Sequence, residues 1–250
     1  MSGTFIDHFS DRSEVYRRVR PTYPPELMAT LSALAPSRRL AWDSGTGSGQ
    51  AASGLADHFE AVFATDASPQ QIANAVPHER ITYAVEAAEA VSLADASVDL
   101  VLAAQAMHWY DLDLFYRQVE RVLRPGGILA AIGYAWLYVD AGIDAAIERA
   151  LLGPIRPYWA PNNALLWDGY RSIPFPGEEI RIGQPAIHLD WSLEELMDYV
   201  LTWSAARAFE ADRGDEPLRR ARTSIAEAWG DPEQRRHVVM PMQLRVARIG

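Results

Sequence analysis

The sequence contains no cysteine, so disulfides and thiolate metal centres are excluded. Its six histidines are widely spaced, with no pair at ligand spacing beside a carboxylate, and no metal site is expected. Positive charge is in short supply: 23 basic side chains stand against 33 acidic ones, a formal charge of -10. The basic residues are scattered, with only short pairs such as Arg38-Arg39, Arg219-Arg220 and Arg235-Arg236. A phosphate backbone would be repelled, so nucleic acid is not expected as a partner. Long apolar runs are missing as well. The stretch from Met1 to Glu14 lacks the hydrophobic segment of a signal peptide, and no later stretch is apolar enough to cross a bilayer. No membrane partner and a cytoplasmic location are therefore expected. Linkers rich in Gly/Ser or charge, internal repeats and low-complexity tracts are also lacking.

What is present is enough apolar material for a sizeable core: 49% of 250 residues are hydrophobic. Thr22-Tyr23-Pro24-Pro25-Glu26 opens a helix whose apolar positions are Leu27, Met28, Leu31 and Leu34. Strands are expected at 40–43, 61–65, 81–85, 98–103 and 128–132. Helices are expected at 50–59, from Ser68-Pro69 onward, and at 111–123, the last stopped by Pro125-Gly126-Gly127. This alternation implies an α/β, Rossmann-like doubly wound parallel sheet, with ligands at the carboxyl ends of its strands. Beyond Trp136 the pattern is less regular. Helices are expected at 141–152, 192–209 and from about 216 to 229, with strands at 179–191 and 237–249.

The run Asp43-Ser44-Gly45-Thr46-Gly47-Ser48-Gly49 joins the first strand to a helix. Its glycines allow a tight turn and a close ligand approach. The third comes one residue too early for G-x-G-x-x-G. Asp66 ends the next strand, where a carboxylate can accept from ribose hydroxyls. Alone, the run reads equally as a Gly/Ser turn, and Asp43 as a helix cap. In the order strand, glycine loop, helix, strand and terminal acid, it points to a nucleoside site.

Asp43-x-Gly45-x-Gly47-x-Gly49, Asp66, Ala88-Glu89, Ser97-Val98-Asp99 and the tract from Arg121 to Gly127 resemble the ordered motifs of class I S-adenosylmethionine (SAM) methyltransferases of the type 11 domain. The resemblance covers roughly residues 5 to 135. It implies SAM as cofactor and a seven-stranded sheet with an antiparallel last strand. It also implies the glycine loop beside the methionine moiety and Asp66 on the ribose. Relatives often place an aspartate where this chain has Ala87, so the adenine contact falls to backbone near Ala88 with Glu89, or to Glu86. The cofactor set on this reading is Tyr16, Arg20, Asp43, Gly45, Thr46, Gly47, Gly49, Asp66, Ala67, Ala88, Glu89 and Gln105. The tract from Tyr16 to Pro24, that from Gln105 to Asp111, and Thr202-Trp203-Ser204 resemble a subgroup containing fungal trans-aconitate methyltransferase.

On the acceptor side, the Gln105-His108-Trp109 loop borders the reacting methyl group in this architecture. His108 is the candidate catalytic residue, able to orient or deprotonate an acceptor. Its bland alternative is a loop histidine bonded to backbone. His108, Trp109, Arg156, Trp159, Arg171 and Trp203 form the candidate acceptor set, although aromatics in a Pro-rich loop can simply hold that loop down. The expectation is one domain over 1–250, monomeric, with about 36–135 as cofactor core and about 136–235 as acceptor lid. The expected reaction is methyl transfer to a small molecule, with O-methylation of a small carboxylic acid as its sharper form. The rivals are a nicotinamide oxidoreductase and a SAM-binding domain without transferase activity.

Overall fold

The computed structural model describes residues 21–250. Tyr16 and Arg20, expected at the cofactor, lie outside the described residues. In chain order the structure runs α1 (Pro25–Leu34), β1 (Leu40–Ser44), α2 (Gln50–Ala56), β2 (Ala61–Asp66), α3 (Pro69–Ala73), β3 (Ile81–Val85), β4 (Val98–Ala104), α4 (Leu112–Val122) and β5 (Leu123–Tyr134). Then come α5 (Ala141–Ile147), α6 (Asn163–Trp167), β6 (Glu178–Glu179), β7 (Ala186–Trp191), α7 (Leu193–Leu201), α8 (Ser204–Arg213), α9 (Glu216–Trp229) and β8 (Arg236–Arg248). The described chain divides into two compact units. One comprises residues 22–135, 164–187 and 241–250; the other comprises 136–163 and 188–240.

The larger unit holds the sheet in the order β3-β2-β1-β4-β5-β8-β6. The strands β1 to β5 are parallel, whereas β8 is antiparallel to both β5 and β6. All seven residues of β4 are buried, as expected for a central strand covered on both faces. Strand order reverses between β1 and β4, the switch point where an open α/β sheet leaves room for a ligand. The sequence suggested seven strands. The path has seven, and β7 adds an eighth by pairing with β8. The single strand expected over 179–191 is split into β6 and β7, because Gly183 and Pro185 interrupt it. Strand β5 begins at Leu123 rather than Ile128. Pro125-Gly126-Gly127 ends the helix and then forms a bulge, where register shifts between Val98 and Leu100 and Gly126 has φ 78°.

Two polar residues of the family-like motifs serve this framework. Asp99 is fully buried; it accepts from Ser37 Oγ at 2.7 Å and from the N–H groups of Arg39 and Leu40 at 2.9 and 3.0 Å, and pairs with Arg124 Nη1 at 2.9 Å. Burial works to raise its pKa, but these donors outweigh burial and hold it below the ordinary carboxylate value. Arg121 ties α4 to the segment before β4 through the carbonyls of Val91 and Leu93, at 2.9 and 2.6 Å.

In the smaller unit, α5 continues as a π-helical turn over Glu148–Leu152. Helix α7 starts with a reciprocal Ser192/Glu195 capping box. The helix expected over 192–209 is broken: Thr202 caps α7, and Trp203 turns to extended backbone (φ -68°, ψ 136°) before α8. Trp203 is thereby buried against Trp159 and Tyr199, with ring centroids 5.8 and 5.6 Å away. Among the described residues, no helix is long and apolar enough to cross a membrane.

Candidate active site

The glycine loop leaves β1 at the switch point, and its three glycines all take left-handed backbone, with φ 68°, 57° and 91° at Gly45, Gly47 and Gly49. They do so for different reasons. A Cβ on Gly45 would fall 2.4 Å from Tyr110 Oη and 2.5 Å from Ala106 Cβ. A Cβ on Gly49 would fall 2.3 Å from Tyr83 Oη. Both are packed against protein. Among the described residues, Gly47 has only Gln71 Oε1 near, at 3.9 Å. A side chain at 47 would therefore occupy room that a ligand can use.

Thr46 fastens the loop, its N–H donating to Thr65 O at 2.8 Å and its Oγ1 to Asp43 Oδ2 at 2.6 Å. Asp66, at the end of β2, accepts from the Gly47 N–H through Oδ2 and from the Ser68 N–H through Oδ1, both at 2.9 Å. Ala67 beside it is exposed, and Ala88 is buried. Glu86 is committed to its own loop, accepting from Ser92 N and Oγ. Glu89 accepts from the Asp111 N–H at 2.9 Å through one oxygen. Of the two acids considered for adenine, Glu89 keeps the freer carboxylate.

Two buried oxygens at the strand ends have no hydrogen-bond partner among the described residues: Asp43 Oδ1 and Gln105 Oε1. Asp43 is fully buried, and this burial pushes its pKa up to about 7 against the pull of Thr46. Gln105 sits just after β4 with φ 58°, a strained conformation for a residue with a side chain. Its Nε2 donates to Tyr134 O at 2.8 Å. An open cradle at Gly47 and an orphaned carboxylate oxygen suit a nucleoside bearing a cationic methionine group. The residues present fit SAM.

His108 follows in a short 3-10 turn, Met107–Trp109, and is buried. Its Nδ1 is 3.1 Å from Tyr170 Oη, and burial lowers its pKa to about 4. Trp109 is partly exposed, its ring 5.1 Å from that of His108. Tyr110 bonds to Ser44 Oγ at 3.1 Å and walls the glycine loop at Gly45, a role that its sequence position did not reveal. Arg171 is exposed, with its Nε donating to Asp168 O at 2.6 Å. In the smaller unit, Arg156 pairs with Glu148 at 2.6 Å, and Trp159 packs on Trp203. The structure thus gathers the glycine loop, Asp43, Asp66, Glu89, Gln105, His108, Trp109 and Arg171 in one unit, and Arg156, Trp159 and Trp203 in the other. Tyr170 is not among the candidate site residues of the sequence. Its bond to His108 depends on a fold-back across 62 positions, for which the local Asp168-Gly169 turn is the only cue.

A methyltransferase-domain family matches residues 42–131, the segment from β1 to β5. A protein of Dictyostelium discoideum named as a methyltransferase is 32% identical over 229 residues, covering 90% of this chain and 87% of that protein. An uncharacterized methyltransferase of Mycobacterium tuberculosis is 38% identical over 127 residues, 50% of this chain and 51% of its own length. A solved structure described as a type II methyltransferase from Anaeromyxobacter dehalogenans superposes with a TM-score of 0.86 at 41% identity, covering 92% of this chain and 97% of that one. With a glycine loop at the switch point and relatives matched over nearly the whole chain, the protein belongs to the class I methyltransferases, is SAM-dependent, and takes S-adenosylmethionine as its cofactor.

Proposed function

We propose that this methyltransferase acts on a small molecule and esterifies the oxygen of a small carboxylic acid, as a monomer. The observation that carries the reading is the state of His108. It is buried and bonded to Tyr170, and its lowered pKa of about 4 makes it a poor proton acceptor. Deprotonating a phenol of pKa about 10 with such a group would be uphill by about six units, on the order of 8 kcal/mol. A carboxylate is already ionised at neutral pH and needs no base. The resemblance of the Gln105 to Asp111 tract to a subgroup containing an acid methyltransferase agrees with this.

When bound, SAM supplies an electrophilic methyl group on a sulfonium, whose transfer to a carboxylate oxygen leaves a neutral ester and S-adenosylhomocysteine. The chain's own residues bind and align. Gly47 admits the cofactor, Asp43 Oδ1 accepts from its ammonium group, Asp66 takes the ribose, and backbone near Ala88 with Glu89 takes the adenine. His108 orients the acceptor. Alignment of this kind can supply roughly 7–11 kcal/mol of barrier reduction. Arg171 keeps its terminal nitrogens unpaired among the described residues, whereas Arg156 is occupied by Glu148. Arg171 is therefore the better holder for a second carboxylate. Choice among acceptors is assigned to the segment 136–235.

The test is a panel of small mono- and dicarboxylic acids, phenols and amines incubated with methyl-labelled SAM, with products identified by mass. Methyl esters are the expected products. Turnover of a phenol or amine with no acid methylated overturns the acceptor assignment.

A further inference from the structure

We propose that Tyr170 is a positioning residue that locks His108 as the tautomer protonated on Nε2, so that His108 meets the acceptor as a hydrogen-bond donor. The donor's role toward the acceptor rests on the function proposed above; the placement of the proton does not. The Tyr170 hydroxyl is buried, and its Oη has one hydrogen-bond partner among the described residues, His108 Nδ1 at 3.1 Å. A hydroxyl carries a single proton. If Nδ1–H donated to Oη, the hydroxyl proton would have no acceptor among the described residues, in a side chain buried within an apolar cluster. An orphaned buried donor is disfavoured by about tenfold or more. The hydroxyl therefore donates, Nδ1 accepts, and the imidazole proton sits on Nε2.

The fold maintains this arrangement against strain. Tyr170 has φ 60°, a conformation that glycine would adopt without cost. It is held there by its N–H donating to Leu165 O at 2.7 Å and by Arg245, whose Nη1 donates to Tyr170 O and Ile173 O, both at 2.7 Å. Arg245 is fixed in turn by its ion pair with Glu179 and by the Phe175 ring 4.5 Å away. Backbone strain sustained by this many contacts marks a side chain whose position matters.

The experiment is nitrogen NMR of the full chain with labelled histidine, which reports directly which ring nitrogen carries the proton. In the wild type His108 should be protonated on Nε2; in Tyr170→Phe, with the ring kept and the hydroxyl lost, both tautomers should be seen. A second variant guards against misfolding of the first. His108→Gln offers an amide N–H near the place of Nε2–H and should turn over an acid acceptor at least tenfold faster than His108→Ala. Wild-type protonation on Nδ1, an unchanged tautomer in Tyr170→Phe, or equal rates for the two His108 variants would each overturn the proposal. If His108 is protonated on Nε2 while no acid is methylated, the acceptor reading fails and the tautomer assignment stands.

Discussion

Asp43→Asn removes one charge from a fully buried site, and the structure gives the size of the effect. Burial raises the Asp43 pKa from 3.8 to about 7. The shift is about three units, on the order of 4 kcal/mol between the protonated and ionised forms. Below pH 3.8 the wild-type carboxyl is neutral whether folded or unfolded, and this group costs the fold nothing. As pH rises from there towards 7, the unfolded chain ionises while the folded one stays neutral, so stability drains away by up to that amount. Above about pH 7 both forms are ionised and the loss is complete. Asparagine has no such dependence. Without SAM, the variant should equal or fall slightly below the wild type near pH 4, through a weaker bond to Thr46. By pH 8 it should exceed the wild type by several kcal/mol. SAM should reverse that order, because its ammonium group compensates the carboxylate. The variant should lose a charge-assisted bond of about 1.5–3 kcal/mol. Urea unfolding from pH 4 to pH 8, with and without SAM, measures both effects. A wild-type-minus-variant difference that stays flat across this range would refute the buried-charge reasoning.

Gly47→Val should leave the protein folded at a strain cost of about 1–2 kcal/mol while weakening SAM binding at least tenfold by calorimetry. Gly45→Ala should instead lower the melting temperature, since its new methyl would meet Tyr110 and Ala106. Asp66→Ala should weaken SAM by about 1.5–3 kcal/mol, and also loosen the loop that it holds at Gly47, seen as faster amide exchange there. Asp99→Ala should cost on the order of 3 kcal/mol of stability in denaturant, because it leaves the backbone N–H groups of Arg39 and Leu40 without their acceptor. Trp159→Ala should change acceptor turnover more than SAM affinity; the opposite ranking would count against placing acceptor choice in the segment 136–235.

The order of strands and the position of the glycine loop were legible because each depends on local pattern. Short apolar runs lead to Asp43, Asp66 and Gln105, and turn residues follow them. The different duties of the three glycines were not legible. They depend on Tyr83 and Tyr110, which the fold brings in from β3 and from the loop after β4. The sequence also suggested continuous elements at 179–191 and 192–209. In the first, Gly183 and Pro185 interrupt the strand, Pro185 by withholding an N–H; in the second, Trp203 leaves the helix to bury its ring. His108 was recognisable as a candidate from its place after β4. Its protonation state was not, because that depends on burial and on Tyr170.

The clamp formed by Arg245 has a consequence for biosynthesis. A nascent chain translated as far as residue 235 already carries the glycine loop, Asp66, His108 and Tyr170, and could pair β1 to β5 through short-range crossovers. It lacks the strand that lies between β5 and β6 and the guanidinium that holds the Tyr170 carbonyl. The cofactor half can thus mature during synthesis, whereas the histidine's surroundings wait for β8. Ribosome-stalled intermediates would be expected to retain SAM before they can transfer its methyl group.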